Sequence, residues 1–477
     1  MVTWTIHQNA TRIRGAQTPL DGVKPAPAYQ TPQERRAAGK ALREAVPRTS
    51  HARWNAPADR ADPIDLLIAS NQGRLPELIP IRHRRMLQSA FAFFRGSAAI
   101  MAPDLARTPA SGIRVQACGD CHLVNFGAFA TSGRRLIFDI NDFDETLPAP
   151  WEWDVKRLTA SFVAAGRHIG LRQGDCAEAA TSVVRSYREQ MAQYARMRQM
   201  DIWCHRAGVE ELPANVRSGA LRQLERSRIE KARKQGVFDH DFPKLVGNSS
   251  SPRIKDNPPL IFHSGRQQTR EFQDTMATAL QLYRESLPEH CRILIGRFRL
   301  CDVAVKVVGV GSVGMTCAIG LFMAADNDPL FLQFKEARAS VLEPYAGASI
   351  YRNHGQRVVA GQRLIQSASD MLLGWTHGGM RGRDFYVRQL KDMKIAPMIE
   401  VMNANLLAGY GTRCGQVLAQ AHARSGDAAM ISGYLGTKAV FDDAITQFAL
   451  DYADQTENDY KAMKEAVRNG RIEVASP

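Results

Sequence analysis

The stretch between Cys118 and Leu158 carries acidic and amide side chains whose order suits the transfer of a phosphoryl group. It reads CGDCHLVNFG (118–127), LIFDINDFDET (136–146) and WEWDVKRL (151–158). Such a reaction asks little covalent chemistry of a protein. It needs a carboxylate beside the acceptor hydroxyl and oxygen ligands for a magnesium ion that bridges the phosphates. An Asp followed by an Asn, in a loop after a strand, provides a base and one metal ligand. A second Asp, in the turn after the next hairpin strand, provides the other. Asp120, Asn125 and Asp142 stand in this order and spacing.

Two other chemistries compete for the same loop. Cys118, Cys121 and His122 fit the spacing for covalent haem attachment. That chemistry requires export, and the opening residues MVTWTIHQNATRIRG contain no apolar core that could act as a secretion signal. The same three side chains could hold zinc, but the second pair of ligands that a closed site needs is not evident. The cysteines are read instead as small, half-buried packing residues.

A second group lies far downstream. VKVVGVGSVGMT contains Gly309, Gly311 and Gly314 as GxGxxG after a β-branched run. In a dinucleotide-binding fold a helix begins at once and an acidic residue ends the next strand, a part Glu336 could play. In the alternative, the glycines turn between antiparallel strands and cover nucleotide phosphates, and a lysine on the next strand pairs with them. Lys335, in PLFLQFKEA, occupies that position. The residues around Met315 permit strand or helix, so both readings stand.

These groups must be held by a sizeable body. The chain has 477 residues, of which 44% are hydrophobic and 23% charged, ordinary for a globular enzyme of two or three domains. Residues 1–75, rich in Pro, Arg and Ala, are expected to form an N-terminal arm with one short helix at Gln33–Ala45. Residues 76–292 are expected to build a helical lobe carrying the first two loops. Its strands would be Ile113–Ala117 and Leu136–Ile140, and its helix Trp151–Gly170 would have Val155, Leu158, Phe162 and Val163 on one face. The region 175–235 reads as helical and 236–260 as turn-rich. Residues 293–395 are expected to form a small antiparallel sheet lobe with the glycine-rich loop, and 396–477 further helices completing the large lobe. The fold class is therefore α+β.

Lys and Arg exceed Asp and Glu, 62 to 48, for a net charge of +14. This surplus favours anionic ligands. Much of it comes from arginines scattered over expected helices, read as solvated surface, so nucleic acid is not the expected partner. The longest apolar stretch, Cys317–Ala325, is about half what a membrane-spanning helix needs. Apart from Cys118 and Cys121 the eight cysteines lie far apart and form no disulfide framework. The expected compartment is the cytoplasm.

The residues around Asp120 resemble the catalytic and metal-binding loops of aminoglycoside and choline kinases, relatives of the protein kinases. Gly119, Asp120, His122 and Asn125 match their Gly-Asp-x-His-x-x-Asn loop. Asp142, Phe143 and Asp144 match the Ile-Asp-Phe/Trp-Asp/Glu motif, and Asp154 matches an Asp that opens a helix and braces the loop. Any one of these alone would read as an acidic turn residue. The resemblance implies Asp120 as catalytic base, Asn125, Asp142 and Asp144 as the metal group, and His122 and Asp154 as structural supports.

Kinases carry the glycine loop and lysine before the catalytic loop, whereas here they follow it, so the resemblance implies a circularly permuted kinase-like fold. Thr412–Arg424 and the following AQAHARSGD resemble the helix that leads into the catalytic loop. The glutamate that usually pairs with the lysine is not found on the helix near Gln356–Leu373. Gln362, Asp370 or Glu343 are its possible substitutes. Arg95 and Gly96 in FFRG, with Arg388 and Lys391, are further candidates for anion contacts, or for salt bridges at the core edge.

SAFAFFRG, VGVGSVG, FKEARASVLEPY, GQRVVAGQRLIQSASDMLLGW and DFYVRQLKDMK resemble, at whole-chain scale, a bacterial family of unknown function, number 2252. That family brings no established activity. The implied function is an ATP- and magnesium-dependent phosphotransferase acting on a hydroxyl of a small molecule, with a protein acceptor as an option. Its alternatives are an AMP transferase or a nucleotide-binding protein of the same fold, and a nicotinamide-dependent oxidoreductase built on Gly309–Gly314.

Overall fold

Thr31 opens the first helix with a reciprocal cap: its hydroxyl accepts from the Glu34 amide, and the Glu34 carboxylate accepts from the Thr31 amide. The computed structural model describes residues 30–475 apart from 207, 209–229, 231–244, 247–251, 264–268, 308, 310, 325–327, 379–381 and 391–393. Residues 1–29 of the expected arm, most of the 206–251 stretch and Lys391 lie outside the described residues.

Helix α1 (Pro32–Ala45) is followed by α2 (Pro63–Ala69), which Asp62 caps through the amides of Ile64 and Asp65. The apolar run expected from Pro76 to Ala106 is cut into α3 (Ile79–Met86), α4 (Ala90–Gly96) and α5 (Ala98–Ala106). Ser89 makes the cut before α4 by accepting from the Ala92 amide.

Four short strands come next: β1 (Arg114–Ala117), β2 (Phe126–Ala130), β3 (Leu136–Ile140) and β4 (Leu147–Pro150). The two expected strands, β1 and β3, do not pair with one another. β1 pairs with β4 and β3 with β2, both antiparallel. The partners escaped notice because Pro148 and Pro150 read against a strand. β4 tolerates them because it belongs to a two-stranded ribbon.

Helix α6 (Trp151–His168) is buried on every side as far as Gly166, not on one face alone. Its charged residues are taken inside because remote groups meet them. The Ser111 amide donates to Glu152 Oε1 (2.7 Å) and Lys156 Nζ donates to the Pro109 carbonyl (3.3 Å). Helices α7 (Gln173–Tyr194) and α8 (Gln199–Cys204) complete this part.

After β5 (Ile261–Phe262), α9 (Arg270–Glu285) and α10 (Glu289–Ile295) come the long strands β6 (Arg299–Lys306), β7 (Cys317–Met323) and β8 (Pro329–Ala337). Two short helices, α11 (Glu343–Ala346) and α12 (His354–Ile365), precede β9 (Gly374–Gly378) and β10 (Arg383–Gln389). These strands form an antiparallel sheet in the order β5-β6-β7-β8-β10-β9. Leu330, Leu332 and Phe334 of β8 pack with Tyr283, Leu287 and Ile295 from α9 and α10, while Phe331 packs with Ile319 and Leu321 on the other face. The expected boundary at residue 293 therefore cuts through this unit, since β5, α9 and α10 belong with the sheet.

The last strand, β11 (Lys394–Ile395), leaves that sheet and pairs with β2. Helices α13 (Ala404–Ser425), α14 (Ala428–Leu435) and α15 (Val440–Arg468) follow. The largest core joins α6, α7, α12, α13 and α14 through residues such as Phe162, Val183, Val359 and Leu418. Helix α1 lies on α14, where Arg43 Nε donates to the Tyr434 carbonyl (2.8 Å). The whole is α+β, and no helix among the described residues is long and apolar enough to cross a membrane.

Candidate active site

The loop after β1 is fixed from behind by α6. Asp154 sits in the first turn of that helix, and its two oxygens accept from the amides of Cys118 (2.7 Å) and Gly119 (3.0 Å). His422 Nε2 lies 3.3 Å from the same carboxylate, and the Tyr187 hydroxyl lies 2.8 Å from His422 Nδ1. Two turns further, Ser161 Oγ accepts from the Leu123 amide (3.0 Å). Gly119 has a φ of +85° and lies against the Glu145 carbonyl, so a side chain there would be strained and would clash.

This clamp presents Asp120. Arg157 Nε and Nη2 both hold its Oδ1, at 2.7 and 2.5 Å. Oδ2 is left toward the cleft, 3.9 Å from His122 Nε2. Burial lowers the His122 imidazole to about 4, so it is neutral near pH 7. Asn125 turns its Nδ2 to the Asp120 carbonyl (2.8 Å), a bond that does not use its side-chain oxygen, and it is not among the residues that line the cleft described below.

Asp142 and Asp144 lie in the turn between β3 and β4. Lys335 Nζ is 2.7 Å from Asp144 Oδ2 and 3.7 Å from Asp142 Oδ2. The Tyr386 hydroxyl donates to Asp144 Oδ1 (2.7 Å) and Ser312 Oγ to Oδ2 (3.2 Å). Both oxygens of Asp144 are thus engaged, and it is the nearer counter-ion of the lysine. Burial would raise the Asp142 carboxyl, but Lys335 and Arg388 outweigh it and hold it below the ordinary value. Burial would likewise lower Lys335, yet Asp142 and Asp144 keep it well above the usual lysine value and charged.

The expected substitutes do not reach Lys335. Glu343 Oε1 accepts from the Ser340 amide (3.1 Å) and lies 3.9 Å from His354 Nδ1. Gln362 donates to Gln366 (2.8 Å), and Asp370 accepts from the amides of Leu372 and Gln389. Arg388 donates to Gln333 (3.0 Å) and to the Asn141 carbonyl (3.3 Å), with its guanidinium 5.8 Å from the Tyr386 ring centroid.

The glycines 309, 311 and 314 turn between β6 and β7, which pair antiparallel. Gly309 and Gly314 take φ values of +66° and +85°. Cys317–Met323 is strand, so the helix that a dinucleotide-binding arrangement needs near Met315 is replaced by a hairpin. That helix is the one the nicotinamide reading on Gly309–Gly314 calls for. Arg85 donates to the Gly309 carbonyl and Arg74 to that of Val313 (2.6 Å).

Asp120, His122, Asp142 and Asp144 share with Gly309 and Gly311 the lining of one cleft of about 610 Å³. Arg95 lines it too, with its Nε buried and unpartnered. Beneath the loop, Cys118, Cys121 and Asp154 lie within 4.8 Å of one another. His122 is not in that group, Asp154 already serves the loop amides, and burial pushes the Cys121 thiol up to about 11. Both cysteines are buried in the largest core.

Sequence reasoning missed Arg157, Tyr386 and His422. Arg157 stands three residues after Asp154 on the same helix, and that spacing, which puts both on one face, was a usable signal. Tyr386 and His422 reach the site only through tertiary folding.

The chain belongs to a bacterial family: residues 74–466 match the one described as "Uncharacterized protein conserved in bacteria (DUF2252)". No curated protein and no solved structure shows a match.

Proposed function

We propose that this protein is an ATP- and magnesium-dependent phosphotransferase, kinase-like in its two lobes and circularly permuted, acting on a hydroxyl of a small molecule. One observation carries the reading. Lys335, on β8, meets Asp144 from 191 residues away in sequence and lies near Asp142, and both carboxylates line the cleft that also receives Asp120 and the glycine turn.

The permuted order is supported at the end of α13. There the Gln116 amide of β1 donates to Ser425 Oγ (3.2 Å), and Gly426 lies against Val115. A chain in the usual order would run from that helix straight into that strand.

The donor set suits a hard cation: the Asn125 amide oxygen and the Asp142 carboxylate are oxygen ligands without sulfur or imidazole. Bound there, magnesium supplies charge neutralisation for phosphate oxygens. Asp120 offers Oδ2 to an acceptor hydroxyl while Arg157 keeps Oδ1 fixed. The Gly309–Gly314 turn offers backbone amides to phosphates. A cleft of about 610 Å³ is in the range of small-molecule sites.

The test is nucleotide turnover and thermal shift with and without magnesium. Asp142→Ala should remove the magnesium-dependent stabilisation by ATP and lower turnover by about three orders of magnitude. Unchanged turnover would sink the reading. Mass analysis of the acceptor separates added phosphate from added AMP.

A further inference from the structure

The cleft has two walls of opposite character. On one, every carboxylate described above has a cation: Asp120 has Arg157, and Asp142 and Asp144 have Lys335. The other wall comes from the segment between α2 and α5 and carries Arg74, Arg82 and Arg95. None of these three forms an ion pair with a carboxylate among the described residues. Arg82 is 2% exposed and donates only to neutral acceptors: Ser70 Oγ, Asn71 Oδ1 and the Gly96 carbonyl. Its Nε is buried without a partner, as is that of Arg95. Arg74 donates to two carbonyls, Ser70 and Val313.

Buried guanidinium groups without a directly paired carboxylate are costly, and more so side by side. Arg82 has no carboxylate acting on it among the described residues. Asp120 and Glu400 reach Arg95, and Glu145, Glu336 and Asp144 reach Arg74, only without an ion-pair contact. The same wall ends at the first turn of α5, where Ala98 and Ala99 line the cleft. Ser97 precedes that turn but does not cap it, since its hydroxyl donates back to the Phe94 carbonyl (2.9 Å). Positive side chains and an uncapped helix start thus face one space.

We infer that this wall is an anion subsite separate from that for the nucleotide phosphates, and that the acceptor molecule carries a phosphate or carboxylate group there. The identification of that molecule as the acceptor rests on the phosphotransferase reading. It sets the acceptor apart from amine-bearing ones, which would meet three arginines that have no ion-pair contact among the described residues.

Inorganic phosphate is the probe, titrated calorimetrically into the full chain, alone and with saturating magnesium and a non-hydrolysable ATP analogue. Phosphate should bind in both conditions. Arg95→Gln should weaken it about tenfold and leave the analogue's affinity within about twofold, with Arg95→Lys recovering most of the loss. Displacement of phosphate by the analogue would overturn the inference, because the arginines would then serve the nucleotide. Equal binding by wild type and Arg95→Gln would overturn it as well. Arg95-dependent phosphate binding in a chain that takes up no nucleotide would uphold the subsite and remove the phosphotransferase reading instead.

Discussion

The loop at 118–125 and the turn at 309–314 face the same cleft but are held in different ways. The loop is clamped by buried groups of α6: Asp154, Arg157 and Ser161 hold its amides and its carboxylate. The glycine turn is held by two arginine tethers to its carbonyls, from Arg74 and Arg85, and by Ser312. Buried hydrogen bonds to a charge are strong and costly to break, whereas a neutral carbonyl tether, such as the exposed one from Arg85, contributes less. The acid-bearing loop is therefore set rigidly, and its cover is free to adjust to what it encloses.

The largest effects should come from the clamp. Asp154→Ala leaves two buried loop amides without an acceptor, which costs about 3 kcal/mol and abolishes turnover even though the residue touches no substrate. Denaturant melts beside nucleotide assays would check this. A variant as stable as wild type would mean that the loop is set by something else.

Lys335→Met comes next. It leaves Asp142 and Asp144 facing each other without an ammonium, at a cost of about 3 kcal/mol. Added magnesium should restore part of the lost melting temperature, because a divalent cation can stand between the same carboxylates. A loss that magnesium leaves untouched would argue against metal binding in that turn.

Arg85→Ala should separate the two regions most plainly. Its tether lies at the surface, so stability should change by less than about 0.5 kcal/mol. The KM for ATP should rise about threefold while kcat holds. A fall in kcat equal to that of Asp154→Ala would erase the distinction between clamp and cover.

The smallest effect is one of pH. Burial pushes the Glu145 carboxyl, beside the loop, up to about 7 against the opposing charge of Arg357. Between its unfolded value of about 4.5 and this folded value, the folded state keeps a proton that the unfolded state releases. Stability therefore falls as pH rises through that window. Glu145→Gln should match wild type at the acid end and exceed it by about 1–2 kcal/mol above neutrality, the figure being discounted for contact with solvent. Melting curves across that range would show whether the gap opens in this direction.

Much of the acidic half was legible because its residues are close in sequence and sit on a strand, a turn and a helix start. Asp120, Asn125 and Asp142 could be read without knowing what lay across from them. The partner of Lys335 could not. The sequence points to Glu343, Gln362 and Asp370, on nearby elements, whereas the carboxylate that meets the lysine, Asp144, lies 191 residues earlier. Helix α6 was misjudged for a related reason: Glu152, Lys156 and Arg157 look like a solvated face until Ser111, Pro109 and Asp120 arrive from elsewhere. The glycine motif was undecidable locally, and only pairing of β7 with β6 and β8 makes the residues after Met315 a strand. The arginines of the opposite wall gave no signal, since nothing in their spacing tells a buried cation from a surface one.

The contact between Lys335 and Asp144 also has a history in time. Ribosomes add roughly 5–20 residues per second, so the 191 residues separating the pair take about 10–40 seconds to emerge. Throughout that interval the nascent acidic turn has no ammonium to quiet it, and its best neutraliser is whatever cation the surrounding fluid provides. The strand β8 can bring its lysine to the two carboxylates only once that interval has passed.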